Sequence, residues 1–169
     1  MNEEFDHIEN MIINEIEQFL LDVEIQGFSG NSIWTFQLKK RIANLGYRLG
    51  HKVSVGRLGA DCTGEWMYDI IWFVEDNDQC LVKVPLIVEC EWDKSYSGIK
   101  YDFEKLLIGN AEKKLMICQA RETEIENLFI KLENAIQRFQ GRENDRFLIV
   151  ILNCTTDDIF YYRAITKKQ

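Results

Sequence analysis

Three acidic residues stand where acids are costly. Asp69 sits between Tyr68 and Ile70 in the run EWMYDIIWFVE, and Glu89 and Glu91 close the run LVKVPLIVECEW. Both runs are rich in aromatic and β-branched residues and read as strands. Side chains two apart on a strand share a face, which places Glu89 and Glu91 together, their Cα atoms about 6 to 7 Å apart. Two carboxylates at the end of an apolar strand repel each other and are costly to desolvate, so at least one should hold its proton more tightly than usual. A divalent cation relieves both problems. Mg²⁺ or Mn²⁺ is the expected ion, because such hard cations take oxygen ligands, often one or two carboxylates with waters and substrate phosphate. A bound ion of this kind activates water and stabilises charge on phosphoryl oxygens. Asp69, on an adjoining hairpin strand, could complete the cluster. Glu65 shares that face but lies about 13 Å further along and stays outside it. The plainer alternatives are a strand-end aspartate and two solvent-facing glutamates, although the unbroken Leu86-Ile87-Val88 argues against simple alternation.

The elements that must position these groups can be read from periodicity. Residues 4–23 carry apolar positions at helical spacing (Phe5, Ile8, Ile12, Ile16, Phe19, Leu20, Val23), and Gly27 to Asn31 breaks the pattern. A second helix is expected from Ser32 as N-cap to about Leu49, weakened by Gly46 and ended by Gly50. Strands are expected over His51–Arg57, Glu65–Glu75, Leu81–Trp92, Lys114–Gln119, Arg146–Cys154 and Phe160–Ile165. Asp76-Asn77-Asp78 makes a turn between the second and third. Pro85 cannot donate to a ladder, so an edge position, a bulge or a start near Leu86 is expected there. Helices are expected over Ser97–Gly109 and Glu122–Gln140. The order is that of one α/β domain over residues 1–169 with a central mixed sheet flanked by helices.

Composition sets the broad class. The chain has 169 residues, 46% hydrophobic and 28% charged, an ordinary globular balance with room for one core. No apolar run is long enough for a transmembrane helix, so no membrane association is expected. The acidic start MNEEFDHIEN lacks the basic and apolar regions of a secretory signal, and a cytoplasmic location is expected. Five cysteines without a CxxC pair read as reduced thiols, two of them (Cys90, Cys118) inside apolar strands. Only two histidines occur, which leaves no Ser-His-Asp set and no zinc pattern. The four tryptophans read as packing groups, with base stacking as the alternative.

The net charge of −8 opposes nonspecific nucleic-acid binding by the whole surface. It is unevenly spread. From Ile25 to Ala60 there is no Asp or Glu, and Lys39, Lys40, Arg41, Arg48, Lys52 and Arg57 fall there. One solvated helix face explains such a run. A basic strip on an acidic body, with Lys39, Lys40, Arg48, Lys52 and Arg57 as nucleic-acid contacts, is the functional alternative.

The succession helix, strand, hairpin with Asp then Glu-x-Glu, helix, strand resembles the core of the PD-(D/E)XK nuclease-like (restriction endonuclease-like) superfamily. The resemblance covers about residues 32–119, leaving the helix at 4–23 and the elements at 122–165 as additions. It implies a restriction endonuclease-like core and a metal-dependent nuclease acting on DNA, with Asp69 matching the motif's Asp, Glu89 its Asp/Glu, and Glu91 in place of the usual Lys. Asp69, Glu89 and Glu91 would hold the metal, and Glu91 could serve as base. Lys105, in Asp102-Phe103-Glu104-Lys105, could supply the missing lysine from the following helix, as relocated lysines do in this superfamily. A solvated helix flank is its plainer alternative. The missing lysine and the acidic charge leave a second reading open, a catalytically inactive protein on the same fold that binds a protein partner or acts as an immunity-type subunit. The oligomeric state, homodimer included, is left open.

Overall fold

A computed structural model describes residues 4–27, 30–56, 66–155 and 159–168. The expected α/β class holds. Six strands form one mixed sheet in the order β1-β2-β3-β4-β5-β6, with four helices flanking it. The strands are β1 (Lys52–Val55), β2 (Ile70–Glu75), β3 (Leu81–Glu91), β4 (Lys113–Ala120), β5 (Arg146–Asn153) and β6 (Phe160–Thr166). The helices are α1 (His7–Gln26), α2 (Asn31–Arg48), α3 (Tyr96–Ile108) and α4 (Glu122–Arg138). The chain divides into two compact units, Phe5–Ile87 and a second made of Met1–Glu4 with Val88–Gln169, so that one division falls within β3.

In the first unit, α1 starts at an Asp6 N-cap. The Asp6 carboxylate accepts from the Glu9 backbone N–H (3.0 Å), and Glu9 in turn accepts from that of Asp6 (2.9 Å), satisfying two orphan donors. The helix therefore begins three residues later than its apolar spacing suggests. It ends at Gly27, whose φ of 66° is the left-handed cap that glycine tolerates. α1 packs on α2 through Ile12, Ile16 and Phe19, the Phe19 ring meeting Trp34 edge-on at 5.1 Å. α2 is capped by Gly30 rather than Ser32. Gly46 does not end this helix. Its bare Cα faces Trp72 of β2, where a Cβ would stand 2.6 Å from the indole nitrogen.

β1 pairs antiparallel with β2, Val53 opposite Trp72. β2 begins at Ile70, five residues after the expected start, because Met67, Tyr68 and Asp69 bend. The aromatic character of that stretch reflects packing. Trp66 lies against Phe73 with ring centroids 5.0 Å apart, and Tyr68 is buried. The turn after β2 is built by Asp76, whose carboxylate accepts from the backbone N–H of Asp78 (3.0 Å) and Cys80 (2.9 Å). β3 runs straight through Pro85 from Leu81, not from Leu86, and lies inside the sheet order rather than at its edge. Its first five residues are exposed or half-buried and continuous burial starts at Leu86, so the proline falls in the open part of the strand.

In the second unit, β4 and β5 run parallel with Ile117 opposite Val150, and β6 returns antiparallel along β5. β5 is buried from Phe147 to Asn153, as its unbroken apolar run requires. α3 packs on β4, while α4 packs on both β4 and β5 through Ile125, Leu128, Phe129, Leu132 and Ile136. Lys114 is fully buried on β4, where it pairs with Asp145 and lies 4.8 Å over the Phe147 ring.

Candidate functional site

β3 delivers Glu89 and Glu91 at its end, and the four residues that follow turn the chain into α3. That turn is fixed by Asp93, whose carboxylate accepts from the Ser95 backbone N–H (2.9 Å) and hydroxyl (2.8 Å). The same bonds hold the Asp93 carboxyl below its ordinary range. Ser95 caps α3 by accepting from Gly98 N–H (3.2 Å). A Cβ at Gly98 would stand 2.9 Å from the Asp93 carboxylate, so the tight turn needs glycine. Gln119 of β4 donates to the Trp92 carbonyl, tying this turn to the end of the neighbouring element.

The turn brings the inner flank of α3 over Glu89. Glu89 is 2% exposed, and Lys105 Nζ lies 2.7 Å from its Oε1. The same ammonium lies 2.7 Å from Asp102 Oδ1, one helical turn back. Asp102 in turn stands close enough to the Glu91 carboxyl to raise its pKa. A chain Glu89–Lys105–Asp102–Glu91 results, with three carboxyls for one ammonium. Burial by itself lowers the Lys105 pKa, and its hydrogen bonds to Asp102 and Glu89, with their charges, outweigh it, so Lys105 is held protonated above its usual range. Glu91 moves upward. Burial and the neighbouring Asp102 raise it against the opposing hydrogen bond from Asp93 N–H at 2.6 Å. Complete burial, with Glu91 adding a smaller push, raises the Cys118 thiol well above its usual range, which makes it a core group.

The sequence reading of Glu89, Glu91 and Lys105 thus meets in one cluster. It missed Asp102, although the three-residue spacing to Lys105 marks a pair on one helical face. Asp69 lies in the first unit, just before β2, where its carboxylate is ion-paired with Lys39 of α2 and its carbonyl accepts from Gly56 N–H (3.3 Å).

The basic strip changes most. Lys39, expected at the surface, is 5% exposed and serves Asp69. Arg41 pairs with Asp22 and Glu15, Arg48 with Glu15, and Lys52 with Glu75. Acids from outside the acid-free stretch fold back onto it. Lys40 is exposed, and Arg57 lies outside the described residues. His51 stacks on Trp72 with centroids 5.7 Å apart.

Glu89, Glu91 and Asp102 all offer carboxylate oxygen, the donor type that hard divalent cations take. Among the described residues, no three His, Cys, Asp or Glu side chains are grouped as they stand to hold a metal ion. Lys105 supplies the positive charge between Glu89 and Asp102. Among the described residues, Cys80, Cys90, Cys118 and Cys154 are not in disulfides, and no helix is long and apolar enough to cross a membrane. Comparison of this chain with protein-family models, with curated proteins and with solved structures finds no match.

Proposed function

We propose that this chain is a metal-dependent nuclease-like protein that hydrolyses DNA phosphodiester bonds on a restriction endonuclease-like core. The observation that carries this reading is the ion pair between Lys105 Nζ and Glu89 Oε1 at 2.7 Å, in which a helix lysine reaches the strand-end carboxylate that has Glu91, not lysine, two residues on. Glu89 and Glu91 would hold Mg²⁺ or Mn²⁺, which when bound supplies a more acidic water and neutralises phosphoryl oxygens. Asp69 enters as a further ligand from the sequence pattern alone. Lys105, kept protonated by its carboxylates, is suited to balance charge on a phosphate oxygen. Glu91 would bind the metal or, as base, accept a proton from the attacking water.

The test is cleavage of plasmid and single-stranded DNA with millimolar Mg²⁺ or Mn²⁺, by wild type and by Glu89→Gln and Lys105→Met. Metal-dependent cleavage that both variants lose supports the reading. A wild type that neither cleaves nor responds to metal in thermal melting overturns it. One observation favours the second reading, an inactive partner-binding protein: Lys39, Arg41, Arg48 and Lys52 are already paired with acids of this chain. That pairing leaves less positive charge for DNA and a body suited to a basic protein partner.

A further inference from the structure

A cleft of about 110 Å³ opens within the second unit between the start of α3, the end of β4 and one face of α4. Lys94, Tyr96, Glu124, Asn127 and Lys131 give it its polar wall, over a floor of Ile99, Ala120 and Leu128. On α4, Glu124, Asn127, Leu128 and Lys131 recur at helical spacing and so present one face. Lys131 Nζ stands 4.6 Å over the Tyr96 ring, so the cation and the aromatic already converge on the same space. Among the described residues, Lys94 and Lys131 make no ion pair. They differ in this from Arg41, Arg48, Lys52, Lys105 and Lys114. That space is enough to admit a phosphate group.

We infer that this cleft is a phosphate subsite that holds a DNA backbone beside the acidic cluster, with Lys94 and Lys131 as its cations and the Asn127 amide as a neutral donor. The inference rests on the nuclease reading for the identity of the strand, and on the cleft itself for the site. Chain connectivity carries the link. Lys94 is three residues after Glu91, which limits their Cα separation to about 11 Å. Duplex DNA carries one charge per ~1.7 Å of axis, so a duplex with a phosphate at Glu89 and Glu91 has others within that reach. Phosphate contacts of this kind set position and carry no sequence preference. Glu124, the one acid among the described residues that line the cleft, opposes an anion there.

The experiment measures binding of a short fluorescein-labelled DNA duplex by anisotropy, in EDTA so that cleavage plays no part, over a series of salt concentrations. Lys94→Gln with Lys131→Gln is expected to weaken binding at least tenfold and to lower the salt slope by about two, one per lost phosphate contact. Glu124→Gln is expected to strengthen binding a few-fold. Melting curves check that each variant is folded, which the exposed positions favour. Wild-type affinity and salt slope in the double variant would overturn the subsite, as would a wild type that does not bind the duplex. Inorganic phosphate competing as well as the duplex, at equal phosphate concentration, would overturn the DNA assignment. If wild type binds through the two lysines yet never cleaves with metal, the nuclease reading fails while the subsite stands. Cleavage with lysine-independent binding gives the reverse.

Discussion

The acid-free stretch from Ile25 to Ala60 and the end of β3 both bring lysine or arginine to carboxylates, and they do it differently. In the first region the pairing is close to one for one: Lys39 with Asp69, Lys52 with Glu75, and Arg41 and Arg48 with Asp22 and Glu15. At the end of β3 a single ammonium serves Glu89 and Asp102, and Glu91 crowds against Asp102 with its pKa raised. The buried Lys114–Asp145 pair belongs with the first pattern. Balanced pairs settle charge within the fold. At the end of β3 the carboxyls outnumber the ammonium, an arrangement that also occurs at working sites.

The contrast can be broken by mutation, and the largest effect is expected at the surplus. Glu89→Gln and Lys105→Met should each lower metal-dependent cleavage on the order of 100-fold or more, whereas Lys52→Met should leave the chemical step intact. Single-turnover cleavage rates check this. Equal losses in all three variants would remove the distinction between the regions.

Stability comes next. Asp69→Asn strands the nearly buried Lys39, and loss of about 3 kcal/mol is expected by analogy with other broken buried pairs. Adding Lys39→Met should restore part of it, a non-additivity that a double-mutant cycle in urea reads directly. Lys105→Met removes the ammonium beside the buried Glu89, with a different pH profile. A buried carboxylate that loses this cation is protonated more readily, so the variant should regain stability as pH falls.

A smaller effect is expected at Glu91. Its folded-state pKa is raised, so the stability it contributes is complete below its unfolded pKa and is lost as pH rises through the folded value. Glu91→Gln should therefore match wild type in acid and melt at the same or a higher temperature near neutrality. A variant that melts lower at pH 7 than at pH 4, relative to wild type, would mean that the carboxylate is stabilised in the fold. The smallest change is expected for Lys52→Ala. The side chain is 59% exposed, and a loss of about 0.5 kcal/mol or less fits surface pairs.

Much of the fold could be read from periodicity. β3, β4, β5, β6, α3 and α4 lie within a few residues of their expected bounds, because each buries a face whose spacing is written in the chain. The early end of the β2 run was not legible. Trp66 to Asp69 has strand-like composition, yet it bends to pack Tyr68 and aim Asp69 at Lys39. Of the site, Glu89 and Glu91 follow from strand alternation, and Lys105 from its place on the next helix. Asp102 and the cleft at Tyr96 depend on how that helix is rotated and capped, which the Asp93–Ser95–Gly98 turn decides. The burial of Lys39 was hidden because its partner lies 30 positions away. A run of like charges looks solvated until the acids that fold back on it are known.

The contact between Gly46 and Trp72 has a consequence for how the sequence can drift. Position 46 accepts no side chain while the indole is in place, so even alanine, ordinarily favoured by about 1 kcal/mol inside a helix, becomes harmful there. A smaller residue at position 72 removes the obstruction at the cost of a void in the core. Each change alone is damaging, and the second to arrive is eased by the first. The two positions therefore constrain each other's permitted residues, and a selection that randomises both together should recover pairs that neither single library contains.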